Sequence, residues 1–190
     1  MLPKQKKAVD HHAAMPHAEV AGFMAEIRKA APVSGNLALL FTILTAARSG
    51  EVRGATWAEI DLQAKLWTIP GERMKSSRDH RVPLSDQAVA VLAQAGEAFG
   101  RDGLIFPGTK GKPLSDATMA AALKRRGLDF TVHGFRSSFR DWCADNGVSR
   151  ELAERALAHA VKFFKVYGYH RRTPPKPPTT APTSTSSAGR

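Results

Sequence analysis

The chain has 190 residues, which is long enough for one domain with a substantial core. Hydrophobic residues make up 43% of it, an ordinary share for a globular protein. No apolar run reaches the roughly 18 residues that a membrane-spanning helix needs. The polar, basic residues 1–10 lack the apolar stretch of a secretory signal. Cys143 is the single cysteine, which excludes an internal disulfide and a cysteine-based zinc site. We therefore expect a cytoplasmic protein.

The formal net charge of +11 favours a polyanionic partner, because cationic side chains that neutralise phosphates release counterions. Much of this excess lies at the two ends of the chain. Residues 1–7 hold three lysines, and residues 170–190 hold four Lys or Arg side chains and no acid. Without those seven charges the remaining body is near +4, so charge alone fits nucleic-acid binding and a merely soluble basic surface equally well.

The first third of the sequence predicts a linker followed by helices. Residues 1–15 are typical of a linker. Apolar side chains then recur at the spacing of one helix face, namely Val20, Phe23, Met24 and Ile27. The nearly apolar stretch 36–47 predicts a second, buried helix, and residues 51–55 predict a short third helix.

Two short apolar runs predict one antiparallel hairpin. Leu66–Ile69 is typical of a strand and residues 80–84 match its partner, so residues 71–79 form the hairpin tip. Ser85 is a candidate N-cap for a helix over residues 86–99.

The second half predicts three more helices and a tail. Ser115 is a candidate cap for a helix that runs to residue 126, and further helices are predicted over 132–146 and 149–158. We expect the apolar stripe of the middle helix to be core rather than a cofactor site: Phe135, Phe139, Trp142 and Cys143. Residues 173–190 are rich in Pro, Thr and Ser and predict disorder. The expected fold class is α+β, mainly α-helical, with one small antiparallel sheet.

His133 and Arg136 are three residues apart on a predicted helix, so their side chains project to the same side. A guanidinium offers paired donors to phosphate oxygens, and an imidazole holds or moves a proton near neutral pH. The pair therefore suits a phosphate. An exposed helix face with an ordinary His is the alternative for so short a motif.

Arg48 comes where the apolar helix ends. An Arg at a helix C-terminus is often only a cap or a partner of the helix dipole. Glu51, three residues on, is placed either to orient Arg48 or to pair with Arg53.

Four further side chains are candidates by position. Lys75 lies on the hairpin tip, where a basic side chain contacts a DNA backbone or is simply solvated. His159 ends the last predicted helix, where a lone His is usually structural. Tyr167 and Tyr169 follow it. A Tyr hydroxyl is a feasible nucleophile towards phosphorus, and aromatic packing is the ordinary alternative.

The order of these pieces resembles the tyrosine recombinase (phage integrase) family. In that family an Arg box precedes a hairpin Lys, an H-x-x-R box, a second His and a nucleophilic Tyr. The matching segments are T-A-A-R-S-G-E-V-R-G-A-T-W (45–57), M-K-S-S (74–77), R-V-P-L-S (81–85), V-H-G-F-R-S-S-F-R-D-W (132–142) and L-A-H-A-V (157–161). Each box alone is weak, but the ordered set over about residues 16–170 is specific. It implies the tyrosine-recombinase catalytic fold, with an integrase catalytic domain over residues 16–172.

The resemblance implies a catalytic set of Arg48, Lys75, His133, Arg136, His159 and Tyr169. Tyr attacks the scissile phosphate and forms a 3′-phosphotyrosyl link, which another strand's 5′-hydroxyl then attacks. The two arginines stabilise the charge on the non-bridging oxygens in place of metal ions, and His159 donates a further hydrogen bond. Lys75 protonates the leaving oxygen and His133 assists proton transfer from the Tyr. The implied partner is double-stranded DNA at attachment sites, with self-association on DNA and no cofactor.

The family spacing favours Tyr169 over Tyr167 as the nucleophile. In similar integrases the Tyr follows the second His by about ten positions and is followed by x-Arg. Tyr169 is followed by His170 and Arg171, whereas Tyr167 is followed by Gly168 and a second Tyr.

The sequence departs from the family at both ends. A DNA-clamping domain is expected before residue 16, and a leucine-rich docking helix is expected where the Pro/Thr/Ser-rich segment stands. A catalytically impaired, DNA-binding remnant of a truncated integrase is therefore the alternative to an active recombinase. A type IB topoisomerase shares the outline of the chemistry, but the integrase-like Arg and H-x-x-R boxes argue against it.

Overall fold

The computed structural model of the chain describes residues 13–159. The helices in this range are α1 (His17–Lys29), α2 (Ser34–Thr45), α3 (Ser49–Arg53), α4 (Asp86–Phe99), α5 (Ala117–Lys124), α6 (Gly134–Asp145) and α7 (Arg150–Ala156). Three strands, β1 (Ile60–Asp61), β2 (Leu66–Ile69) and β3 (His80–Pro83), form one antiparallel sheet in the order β1-β2-β3. The expected α+β class, mainly helical with a small sheet, is confirmed. None of the helices in this range has the length and apolar character to span a bilayer.

Helix α2 is the centre of the core. Its sequence is apolar on every side, so it is buried against both α4 and α5. The ring of Phe41 lies 5.3 Å from the ring of Trp67 and 5.6 Å from that of Phe106, which joins the helix to the sheet. The hydroxyls of Thr42 and Thr45 each donate to the backbone carbonyl four residues earlier at 2.7 Å, so these buried polar groups are satisfied.

The predicted hairpin is confirmed with the expected strands. β2 and β3 pair from Leu66 opposite Pro83 to Ile69 opposite His80. Ser85 is the N-cap of α4, because its Oγ accepts a hydrogen bond from the backbone N–H of Ala88 at 3.2 Å. Strand β1 was not predicted, since two residues are too few to show a period.

Two local predictions were wrong. Ser115 does not cap α5, because its Oγ pairs with the hydroxyl of Thr118 at 2.9 Å rather than with a backbone N–H. The predicted apolar stripe of α6 is only partly core. Phe135 and Cys143 are buried, but Trp142 is 45% exposed. Phe135 stacks on Phe23 of α1, whereas Trp142, about two turns further along, stacks only on Phe139 of its own helix.

The chain enters the domain directly against the start of α6. The carbonyl of Ala13 accepts from the backbone N–H of Thr131 at 3.0 Å, and the carbonyl of Met15 accepts from the Ser138 hydroxyl at 2.5 Å. A Cβ added to Gly134 would lie 2.2 Å from the Ala13 oxygen. Only glycine allows this approach, so Gly134 fixes the entering segment beside the helix that carries Arg136.

We expect Gly134→Ala to lower the free energy of unfolding by about 1–3 kcal/mol, because the added methyl meets backbone rather than a flexible side chain. Urea denaturation measures the change. Gly22→Ala is the matched control, since Gly22 is inside α1 with nothing within 4 Å of an added Cβ. That control should raise stability by up to about 1 kcal/mol through helix propensity. Equal effects of the two changes would contradict the packing role of Gly134.

Candidate active site

The turn that leaves α2 presents a backbone carbonyl to α6. Ala46 adopts a left-handed conformation, with φ 50° and ψ 22°, and ends the helix. Arg48 follows in extended conformation and is the residue immediately before α3. The structure therefore places Arg48 at the N-terminus of a short helix, and not at the C-terminal cap position of the apolar helix.

Glu51 orients Arg48, which resolves the two alternatives left by the sequence. One oxygen of the Glu51 carboxylate accepts from the Arg48 backbone N–H at 2.8 Å, and the other accepts from Nη1 of Arg48 at 2.7 Å. Glu51 is buried, and Arg48 keeps 30% of its side chain exposed. Arg53 pairs elsewhere, with the Leu114 carbonyl at 2.9 Å and with Asp116. Arg48 is thus held on one side and open on the other.

Arg136 is buried and joins the ends of two helices. Nη1 donates to the carbonyl of Ala46, and Nη2 donates to the carbonyl of Leu157 at 2.7 Å. Desolvation, followed by the nearby charge of Arg48, lowers the pKa of Arg136 to about 10, while the carboxylates of Glu51 and Glu154 oppose this shift. Arg136 is therefore still a cation at neutral pH.

His159 meets Arg136 and Glu154 through its two ring nitrogens. Nε2 lies 3.1 Å from Nη2 of Arg136, and Nδ1 lies 2.6 Å from a carboxylate oxygen of Glu154. The other Glu154 oxygen lies 3.3 Å from Nη2 of Arg140. The hydrogen bond with His159 is the main cause that lowers the pKa of Glu154 below its ordinary value. The carboxylate is therefore ionised at neutral pH.

The structure brings together three of the predicted site residues: Arg48, Arg136 and His159. His133 is exposed and stands immediately before α6, and not inside the helix as predicted. Lys75 is exposed in the hairpin turn, and within residues 13–159 no hydrogen bond or ion pair joins Lys75 to the three. Tyr169 and Tyr167 lie outside the described residues.

The base of the hairpin is fixed to the same region by Arg73. Nη1 of Arg73 pairs with the Glu59 carboxylate, and Nη2 donates to the backbone carbonyl of Glu51. The other oxygen of Glu59 accepts from the indole N–H of Trp67 at 2.8 Å. The hairpin that carries Lys75 is therefore attached to the helix that carries Glu51.

Comparison with known proteins agrees with this geometry. Residues 13–167 match the family described as the phage integrase family. The chain belongs to the phage integrase family. The resemblance drawn from the ordered motifs is confirmed.

This phage integrase chain has relatives in bacteria and phages. It is 39% identical over 136 residues to prophage integrase IntA of Escherichia coli K12, which covers 70% of this chain and 33% of that protein. It is 33% identical over 172 residues to the integrase of enterobacteria phage P4, which covers 80% of this chain and 39% of that protein. The chain therefore spans between a third and two fifths of the length of these relatives.

Solved structures share the fold of this phage integrase domain. The XerA recombinase has a TM-score of 0.65 at 18% identity, over 84% of this chain and 58% of that one. A lambda integrase dimer bound to a COC′ core site has a TM-score of 0.62 at 20% identity, over 81% of this chain and 60% of that one. These likenesses confirm the expected tyrosine-recombinase catalytic fold.

Two further residues of the candidate site, Glu154 and His80, have no signal in the sequence. Glu154 precedes His159 by five positions, and nothing in that spacing marks a contact, because it depends on the turn after α7. His80, the first residue of β3, is half-buried near Arg48, Glu51 and Arg136. An alternating strand pattern reveals burial but not which charges lie opposite.

Arg136→Lys should lower the free energy of unfolding by about 1–3 kcal/mol, because one ammonium cannot replace the fork that bridges two buried carbonyls. Chemical denaturation measures this loss. Arg155→Lys is the control, since Arg155 is 64% exposed and pairs only with Glu151 on its own helix. Its effect should stay within about 0.5 kcal/mol. A similarly small effect of Arg136→Lys would contradict the bridging role.

His80 should make stability depend on pH. Burial is the main cause that lowers the pKa of His80 below its ordinary value. The Glu51 carboxylate and a hydrogen bond with the Ala156 backbone oppose this shift, and the charges of Arg48 and Arg136 add to it. The folded state therefore disfavours protonated His80, so its penalty is absent above the ordinary pKa and grows as the pH falls towards the lowered value. Denaturation across about pH 5 to 8 should show a shallower loss for His80→Gln than for the wild type. Parallel curves of unfolding free energy against pH for the two proteins would exclude His80 as a source of the pH dependence.

Proposed function

We propose that this chain is the catalytic part of a site-specific DNA recombinase that integrates phage-type DNA by strand cleavage and rejoining. The observation that carries the proposal is the convergence of Arg48, Arg136 and His159 at the ends of α2 and α7. Two guanidinium groups and an imidazole in one place match the needs of a phosphodiester whose non-bridging oxygens gain charge during reaction.

The contacts among the described residues do not use every donor of the two arginines, and Arg48 is the more accessible of the two, with 30% of its side chain exposed, whereas Arg136 is 4% exposed. A guanidinium carries five N–H groups, and Arg136 uses three of them on Ala46, Leu157 and His159. The carboxylate of Glu51 holds Arg48 from one side only. Both cations are positioned before any substrate arrives, so little reorganisation is needed in the transition state.

The proposed reaction uses the remaining predicted residues as follows. The Tyr169 oxygen bonds to phosphorus while the bond from phosphorus to the 5′ oxygen breaks. His133 accepts the proton of Tyr169, and Lys75 gives a proton to the leaving 5′ oxygen. A 5′-hydroxyl of another strand then attacks the 3′-phosphotyrosyl link and releases the tyrosine. The energy of the phosphodiester is conserved, so no nucleotide cofactor is consumed.

The proposed substrate is double-stranded DNA at attachment sites, in the cytoplasm. The side chains of Lys75, Arg78 and Arg81 are exposed along the hairpin, where they suit a phosphate backbone. We also propose self-association on DNA. In support, one structure of the same fold is described as a lambda integrase tetramer bound to a Holliday junction.

Covalent capture tests the proposal with no need to choose a DNA sequence in advance. The full chain is incubated with a pool of short nicked duplexes of randomised core sequence, and adducts that survive denaturation are isolated and sequenced. The nick lets the short 5′-hydroxyl fragment diffuse away, so the phosphotyrosyl link accumulates. An adduct with an enriched sequence is expected.

Tyr169→Phe should abolish that adduct, because no oxygen remains to attack phosphorus. Tyr167→Phe is the matched control and should leave the adduct intact. Loss in the Tyr167 variant with survival in the Tyr169 variant would reverse the assignment. Binding of the duplex pool by the wild type without any adduct would instead indicate an impaired DNA-binding remnant.

A further inference from the structure

The contacts of His159 determine which ring nitrogen carries its proton. A guanidinium has donors and no acceptor, so Nε2 at 3.1 Å from Arg136 accepts a hydrogen bond. An ionised carboxylate only accepts, so Nδ1 at 2.6 Å from Glu154 donates. Both contacts require the same neutral tautomer, with the proton on Nδ1 and the lone pair on Nε2.

That tautomer cannot donate a hydrogen bond to phosphate. For Nε2 to donate, His159 must gain a second proton and become an imidazolium. The cations nearest to the pair oppose this gain: Arg136 and Arg140 on α6, and Arg150 on α7. Glu154 is the anion in contact with the ring, so it is the group that favours the charged form.

Glu154 is built to hold the ring in place. Its backbone carbonyl accepts from the backbone N–H of His159 at 2.9 Å, while its side chain accepts from Nδ1 of the same residue. Ala158 has a φ of 51°, which turns the chain so that both bonds form. Arg140 anchors the second carboxylate oxygen. The Glu154 side chain is 18% exposed and that of His159 is 36% exposed, so the pair is partly shielded from solvent.

We propose that Glu154 is a positioning residue that fixes the orientation of His159 and favours its imidazolium when phosphate enters, so that Nε2–H donates to a non-bridging oxygen. This inference rests on the proposed function, since it assumes that His159 contacts the phosphate. Glu154 itself touches no reacting atom. When phosphate enters, Nε2 takes up a proton from solvent, gives up the hydrogen bond that it accepts from Arg136 and donates to the non-bridging oxygen, and that proton stays on the imidazole during cleavage.

The pH dependence of cleavage tests this role. A nicked duplex selected by the covalent capture is used under single-turnover conditions from about pH 6 to 9. Glu154→Gln keeps the size of the side chain and an acceptor for Nδ1 but removes the negative charge. The cleavage rate of this variant should fall roughly tenfold at the alkaline end of the range and less at the acidic end, because the charge that favours the imidazolium is gone.

Glu151→Gln is the matched control, because Glu151 is on the same helix and, within residues 13–159, forms its ion pair only with exposed Arg155. Its profile should coincide with that of the wild type. An equal loss for Glu154→Gln at every pH would overturn the electrostatic role and leave only a structural one.

A second measurement separates this inference from the proposed function. Nitrogen NMR of the His159 ring in the full chain, without DNA, should show the Nδ1–H tautomer in the wild type. In Glu154→Gln the Nε2–H tautomer should appear beside it, because the amide can turn its NH2 group towards Nδ1. That result together with no covalent adduct would refute the recombinase function while keeping the Glu154 contact. An unchanged tautomer population would overturn the role of Glu154 whatever the activity.

Discussion

The position of the site depends on the buried guanidinium of Arg136. It donates to the carbonyl of Ala46, at the end of α2, and to the carbonyl of Leu157, just after α7. Because Arg136 itself lies on α6, three helices meet at this side chain. A buried charge is costly to desolvate. Here two backbone dipoles and the nearby carboxylates of Glu51 and Glu154 offset that cost, and the cation stays protonated despite its lowered pKa.

Carboxylates also compensate the other side chains around Arg136. Two of the three side chains of the site have a carboxylate behind them: Glu51 lies behind Arg48, and Glu154 lies behind His159. Repulsion between the two arginines is thereby reduced. Glu51 and Glu154 each also accept from the backbone N–H of the residue that they orient, Arg48 and His159. In the proposed reaction, an entering phosphate would therefore weaken the side-chain contacts with these carboxylates and leave the backbone of Arg48 and His159 in place.

Local patterns in the sequence predicted the elements but not the contacts between them. Helix α4 and its Ser85 cap followed from short-range signals, and both were confirmed. The order of motifs identified Arg48, Arg136 and His159 as a group. The bond between Glu154 and His159 could not be predicted, because it requires the left-handed turn at Ala158. The exposure of Trp142 likewise depends on how α6 packs against its neighbours, which no helical period records.

The site therefore has two parts with different mechanical support. Arg48 and Arg136 are held by the ends of buried elements, and α2 behind them is packed on Trp67 and Phe106 through Phe41. Lys75 stands on an exposed turn whose base is fixed by Arg73. A rigid anion pocket suits a step that needs preorganised charge. In the proposed reaction the exposed hairpin suits Lys75 as the proton donor, since DNA bound by its basic neighbours would set its final position.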